Sequence, residues 1–292
     1  MGPTRHGPNK TWRPTSHAPY TRPALRGRQQ QGARPLANDL RRPRSILITG
    51  ASSGIGEALA RCYAAPGVTL ALGGRDRGRL DAVAEACRAA GAAAATRCVE
   101  ITDAAALATW MAERDAAAAL DLVIANAGVS AGTGAGGESE EQARLIFAVN
   151  QAGVFNTVLP AFALMRPRGR GQIAIMSSLA CFRGFPGAPA YCASKAAVRV
   201  WGEALRGQLA AEGIAVSVIC PGFVRSRMTA VNRFPMPFLM EAERAAAIIR
   251  RDLACNKARI AFPWQMAAVV WLLSALPPGL TDRALGRLPA KS

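Results

Sequence analysis

Tyr191 and Lys195 stand four residues apart in Tyr191-Cys192-Ala193-Ser194-Lys195, so on a helix their side chains share one face. A phenol ionises near pH ~10, and a neighbouring ammonium favours the charged form. The pair is therefore expected to lower the pKa of Tyr191 and let it exchange a proton near neutrality. Competing acid/base groups are scarce: the two histidines are His6 and His17, and none follows. A second chemically suggestive stretch is Ile48-Thr49-Gly50-Ala51-Ser52-Ser53-Gly54-Ile55-Gly56. Gly50 to Gly54 fits G-x-S-x-G, the elbow of a nucleophilic serine. The same residues fit a glycine-rich turn that cradles a dinucleotide pyrophosphate. A serine nucleophile needs a base, which hydrolase triads supply as histidine. The histidine-free body sets that reading aside, with serine–lysine chemistry its only remaining form. The glycine spacing favours the turn: Gly50 permits a tight bend off a strand, while Gly54 and Gly56 admit phosphate and close helix packing. The following helix N-terminus then faces the anion.

These residues need a scaffold, and the chain from residue 45 onward alternates strand-like and helix-like segments. "SILITG", "VTLALGG", "AAATRCVE", "LDLVIANAG", "GQIAIMSS", "IAVSVICPG" and "RIAFP" read as strands. Between them, "GEALARCYAAPG", "GRLDAVAEACRAAG", "DAAALATWMAERDAAAA", a long segment from Glu138 to Met165 and residues 190–212 read as helices. Apolar strands without alternation are covered on both faces, which implies a parallel sheet. The expectation is an α/β fold: one Rossmann-type, doubly wound parallel sheet of about seven strands with helices on both faces. Seven scattered cysteines without a C-x-x-C pair suggest neither zinc nor a redox dithiol, so no metal is expected and a reduced, cytoplasmic setting is the simpler account. Cys192 reads as a small buried hydrophobe.

Taken in order, the motifs resemble those of the short-chain dehydrogenase/reductase family across residues 45–230. Thr49, Gly50, Gly54 and Gly56 match its T-G-x-x-x-G-x-G turn. Asn126-Ala127-Gly128 matches its N-A-G motif, and Asn150 its active-site asparagine. Ser178 lies thirteen residues before Tyr191, Tyr191 and Lys195 form the Y-x-x-x-K pair, and Pro221-Gly222 matches the turn after the sixth strand. The resemblance implies hydride transfer between a nicotinamide cofactor and a carbonyl/alcohol substrate. Tyr191 would be general acid/base. Lys195 would hold the nicotinamide ribose, Ser178 the substrate carbonyl oxygen, and Asn150 a water linking Lys195 to solvent. The implied cofactor set is Gly50, Ser52, Ser53, Gly54, Ile55, Gly56, Arg75, Glu100, Ile101, Asn126, Ala127, Gly128, Tyr191, Lys195, Pro221, Gly222, Val224 and Ser226. Glu100 stands where the family has aspartate, and Ser226 where it often has threonine. At the end of the second strand Gly74 replaces the acid that would accept a ribose 2′-hydroxyl, and Arg75 follows it. NADP(H) is therefore favoured over NAD(H). Family relatives associate through the long helices, so a homodimer or homotetramer is expected.

The formal charge of +17 raises nucleic acid, but its distribution argues against a specific nucleic-acid site. Residues 1–44 hold ten Lys/Arg against Asp39 alone, whereas the remaining chain holds 26 against 18 acids. That Pro/Arg-rich segment has few aliphatic side chains and no apolar signal region, and reads as a disordered, dispensable extension. Three loops are expected to line a substrate pocket: 129–137, 179–190 and 225–240. The last is rich in Phe and Met, which suits an apolar pocket or packing onto the domain equally. The apolar run at 264–276 is too short to span a bilayer. It reads as a buried helix, the alternative being a peripheral membrane contact that collects a lipid-like substrate. The rival functions are a cofactor-binding regulator without turnover, whose mark would be a broken Tyr/Lys pair, and the serine hydrolase.

Overall fold

Seven strands, β1 (Ser45–Thr49), β2 (Thr69–Gly74), β3 (Ala93–Cys98), β4 (Leu122–Ala125), β5 (Gly171–Met176), β6 (Ile214–Pro221) and β7 (Arg259–Phe262), form one sheet in the order β3-β2-β1-β4-β5-β6-β7. This computed structural model describes residues 42–130, 137–232 and 234–285. The extension before residue 42 and the middle of the 129–137 loop lie outside them. Every strand pair is parallel; Leu47, for example, stands beside Ala71 on one side and Val123 on the other. The inner strands β1, β4, β5 and β6 are buried on both faces because helices cover both, whereas edge strand β3 is largely exposed. Ile46 and Ile48 of β1 enter the core beneath α1 (Gly54–Tyr63) and α2 (Arg77–Ala89). Leu47 enters the opposite core, beneath α3 (Ala104–Ala117).

That opposite core also takes the long helical run, α4 (Glu140–Phe147), a π-helical turn (Ala148–Ala152) and α5 (Gly153–Met165), and then α6 (Pro189–Ala210). By length and composition the run from Glu140 to Arg168 is the one described helix able to cross a membrane. Here it packs Val154, Val158, Ala161 and Met165 into the core. A short α7 (Arg227–Ala230) precedes α8 (Ala242–Ala254), which joins α1 and α2. Helix starts follow local chemistry. Asp76 and Asp103 cap α2 and α3, and Ser139 with Gln142 forms a capping box on α4. The sheet order reverses between β1 and β4, so a crevice opens beyond the carboxyl ends of those strands, where ligands of open α/β sheets bind.

The C-terminal helices depart from expectation. In α9 (Trp264–Ala275) only Val270 is buried, so the run read as a buried helix is a surface helix. Its composition is apolar on every side, and one face suffices to dock it on the turn at Leu179–Cys181. α10 (Pro278–Leu285) follows it. The 225–240 loop splits between its two readings: Met240 packs in the core with Val224, whereas Val231 and Phe238 are exposed.

Candidate active site

The glycine-rich turn closes the bottom of the crevice. Gly50 has φ +68°, open to glycine at little cost, and a Cβ on Gly56 would lie 2.2 Å from the Gly50 carbonyl oxygen. The turn is held from β4: the Asn126 side-chain amide donates to the carbonyls of Thr49 and Gly50, both at 3.1 Å. Thr49 Oγ1 donates to the Ile124 carbonyl and accepts the amides of Asn126 and Ala127. Asn126 therefore shapes the turn with its side chain. Ser53, at the N-cap of α1, makes no capping bond, so the first amides of α1 lack a side-chain acceptor. Glycines that a Cβ would block and an uncapped helix N-terminus together fit a pyrophosphate.

At the rim, Gly74 brings no carboxylate; a Cβ there would lie 3.4 Å from Ser52 Oγ. The nearest acid, Asp76, is committed: it accepts the Arg79 amide at 2.9 Å and pairs with the Arg79 guanidinium at 2.8 Å. Arg75 and Arg77 are exposed and make no ion pair among the described residues. Glu100 is exposed beyond β3. Three expected cofactor residues turn out to serve the protein with their side chains. Ile101 packs in the core, where a Cβ on Gly153 would meet it at 2.7 Å. Val224 is buried beside Met240. Ser226 Oγ accepts the Thr229 amide as the cap of α7, and its Cβ lies 3.0 Å from where a Gly54 Cβ would stand. Pro221-Gly222 ends β6, with Met266 of α9 packed against Gly222.

Tyr191, Lys195, Ser178 and Asn150 converge at the other side of the crevice. α6 presents Tyr191 and Lys195 together, with the Lys195 ammonium 5.9 Å from the Tyr191 ring centre. Ser178 lies close enough to the Tyr191 hydroxyl for its side chain to pull the Tyr191 pKa down. Ser178 leads out of β5 and accepts the Ala180 amide at 3.1 Å, which starts the turn at Leu179–Cys181. Lys195 is buried and donates to the Met176 carbonyl at 3.0 Å. Asn150 lies within the π-helical turn, a local widening often found at functional sites. Its amide closes on Val129 in both directions, accepting the amide at 2.8 Å and donating to the carbonyl at 2.9 Å. A Cβ on Gly128 would meet Asn150 Oδ1 at 3.1 Å and Lys195 Nζ at 3.2 Å, so a larger residue there would have to displace one of these two side chains.

The expected lowering for tyrosine rests on the Lys195 ammonium together with an oxidised nicotinamide; the chain's own groups act in the other direction. Burial pushes the Tyr191 hydroxyl up to about 12, with the Ser178 side chain pulling it down and Cys192 and Cys181 adding to the rise. Burial also brings the Lys195 ammonium down to about 8, against the pull of Cys181 and Cys220. Tyr191 as a whole is half-buried, but around its hydroxyl desolvation outweighs an ammonium that lies over the ring and donates to the Met176 carbonyl. Cys192 is buried and its thiol is raised by burial, in keeping with a hydrophobic role. Two supports escaped sequence reasoning. Ser194 Oγ accepts from the Asn150 amide at 3.2 Å and donates to the Tyr191 carbonyl at 2.8 Å. Glu138 Oε2 accepts the Ala190 amide at 2.8 Å and so caps α6, whose own N-cap residue Ala188 has no capping side chain.

Comparison with known proteins gives a consistent picture. The family model described as short chain dehydrogenase matches residues 44–235. An uncharacterized oxidoreductase of Myxococcus xanthus is 40% identical over 246 residues, covering 84% of this chain and 97% of that protein. The ketoacyl reductase HetN of a Nostoc species is 30% identical over 198 residues, 67% of this chain and 69% of that one. A short-chain dehydrogenase from Sphingobium yanoikuyae, solved in complex with NADPH, superposes with a TM-score of 0.71 at 25% identity, covering 84% of this chain and 96% of that one. Another from Mycobacterium paratuberculosis, solved bound to NAD, gives a TM-score of 0.67 at 25% identity, covering 77% of this chain and 98% of that one. With the sheet order, the glycine turn and the Tyr191/Lys195 pair already in place, these matches make the chain an oxidoreductase of the short-chain dehydrogenase/reductase family.

Proposed function

We propose that this chain reduces a hydrophobic carbonyl compound, of acyl or other lipid-like character, with NADPH, or oxidises the corresponding alcohol. The observation that carries the reading is the Ser178 side chain close beside the Tyr191 hydroxyl, with Lys195 buried on the same helix. In this reading the substrate oxygen sits between the two hydroxyls, Tyr191 Oη supplies its proton, and Ser178 Oγ stabilises the charge that develops on it. The bound nicotinamide supplies the hydride. With a nicotinamide ribose bound, Lys195 would hold its hydroxyls, and an ammonium turned toward the Tyr191 oxygen would favour the phenolate and offset the cost of burial. Asn150 holds the water through which Lys195 is reprotonated. Gly50, Ser52, Ser53, Gly54, Ile55 and Gly56 with the first turn of α1 receive the pyrophosphate. Gly128, Gly222 and Ser226 would line the cofactor site on its nicotinamide side.

NADP(H) is preferred because Arg75, like Arg77, is an exposed cation with no ion-pair partner among the described residues, and Asp76 is paired with Arg79. The relative solved with NADPH agrees with that preference, while the one solved with NAD shows that the fold takes either. The hydrophobic substrate is supported by the Phe/Met-rich 225–240 loop and by the name of the ketoacyl reductase relative. Exposed Leu145, Phe147, Leu159 and Val200 on α4, α5 and α6 supply an apolar surface for a homodimer, and a monomer by light scattering would contradict it. The test of the activity is nucleotide consumption by purified protein across aldehydes and ketones of increasing chain length. The expected result is turnover that rises with chain length and is faster with NADPH than NADH; no turnover with any carbonyl would overturn the reading.

A further inference from the structure

The surface helix α9 is built to meet something other than water. Its inner side is fixed: Val270 is buried with Leu179, Cys181, Val218 and Cys220, and Met266 packs on Gly222. α10 behind it is tied down by Arg183, which donates to Thr281 Oγ1 at 2.6 Å. The outward half is nonetheless apolar. Trp264 is 73% exposed and Trp271 62%, and Val269, Leu272 and Leu276 are exposed beside them. Trp264 and Trp271 are seven apart, so they stand two turns apart on one side of the helix. No charged residue lies between Arg259 and Asp282. Twelve residues span only ~18 Å, too short to cross a bilayer but suited to lying along its interface, where tryptophan concentrates.

The surroundings select the partner. A groove of about 500 Å³ beside Trp264 is lined by Arg244, Arg251 and Lys257 against Asp252 alone. Arg251 and Lys257 both pair with Asp252, which leaves a positive excess, and Arg244 has no ion-pair partner among the described residues. A two-fold contact with a second copy would bring these cations towards one another as the two α9 helices met. An anionic lipid surface instead accepts the apolar half-cylinder among its acyl chains and the cations among its headgroups. We propose that α9 is an interfacial anchor that seats this chain on an anionic bilayer, with Arg244, Arg251 and Lys257 receiving the headgroups. This inference goes beyond the hydride-transfer reading and does not depend on it.

The experiment is flotation of the full chain with vesicles of phosphatidylcholine, with and without phosphatidylglycerol, alongside the double variant Trp264→Glu/Trp271→Glu and the single variant Arg244→Glu. Wild type is expected to float with the phosphatidylglycerol vesicles and to release as salt is raised. The double variant is expected to partition about tenfold less or worse. Arg244→Glu is expected to weaken binding only where phosphatidylglycerol is present. Unchanged NADPH affinity in both variants shows that they remain folded. Wild type left in the bottom fraction with anionic vesicles, or a double variant that floats equally well, would overturn the proposal. A dimer that does not float and that falls to monomer in the double variant would assign α9 to a second copy and overturn it likewise.

Discussion

Tyr191 and Lys195 have pKa values displaced in opposite directions by the same cause, burial: one is raised to about 12, the other lowered to about 8. The consequences for stability have opposite signs. An unfolded lysine keeps its proton to pH ~10.5, so above pH 8 the unfolded chain binds more protons than the folded one and stability rises with pH. For Tyr191 the folded chain holds the proton more tightly, so its contribution is complete below pH ~10 and is lost as pH climbs through about 12. The unfolding free energy of wild type minus that of Lys195→Met, without added nucleotide, is therefore expected to rise by about 2 kcal/mol from pH 8 to 10. Urea titrations at each pH measure it, and a flat difference would contradict the burial of a lowered lysine. Arg75→Ala is expected to raise KM for NADPH about tenfold and leave KM for NADH unchanged, as read by steady-state kinetics. The catalytic candidates were legible because their spacing is local or fixed along the chain. Ser194 and Glu138 were not, because their partners Asn150 and Ala190 lie 44 and 52 residues away and only the fold brings them together.

The seven strands and the helices between them follow from apolar runs and caps, and the parallel sheet follows from strands that are apolar on both faces. The glycine turn shows how tightly these elements fit. With 2.2 Å between a Gly56 Cβ and the Gly50 carbonyl oxygen, Gly56→Ala must move backbone, and it also crowds the Asn126 amide at 2.6 Å. A displacement of that kind at a binding turn costs on the order of a hundredfold, so NADPH affinity measured by fluorescence titration is expected to fall by that factor. Affinity within a few-fold of wild type would contradict the assignment of this turn to the pyrophosphate. The helix α9 marks where element reading fails. An all-apolar stretch of twelve residues reads the same whether the fold covers it or leaves it at the surface, and here only Val270 is covered. The π-helical turn at Ala148–Ala152 was also invisible, since nothing in "AVNQA" distinguishes it from ordinary helix.

Over the whole molecule, the order β3-β2-β1-β4-β5-β6-β7 opens the crevice between β1 and β4. Residues from three distant parts of the chain meet around it: the turn after β1, the π-helical turn before α5, and the Ser178–Lys195 segment. The charge of +17 says little about that site, because its most one-sided part lies in the first 44 residues. What unites the crevice in function is the proton that Tyr191 is assigned to deliver. The most direct test compares NADPH-dependent reduction of a long-chain ketone by wild type and Tyr191→Phe, with NADPH binding measured on both. A loss of ~10³-fold in kcat with NADPH affinity retained is the expected result. Near-normal turnover by Tyr191→Phe would contradict the account.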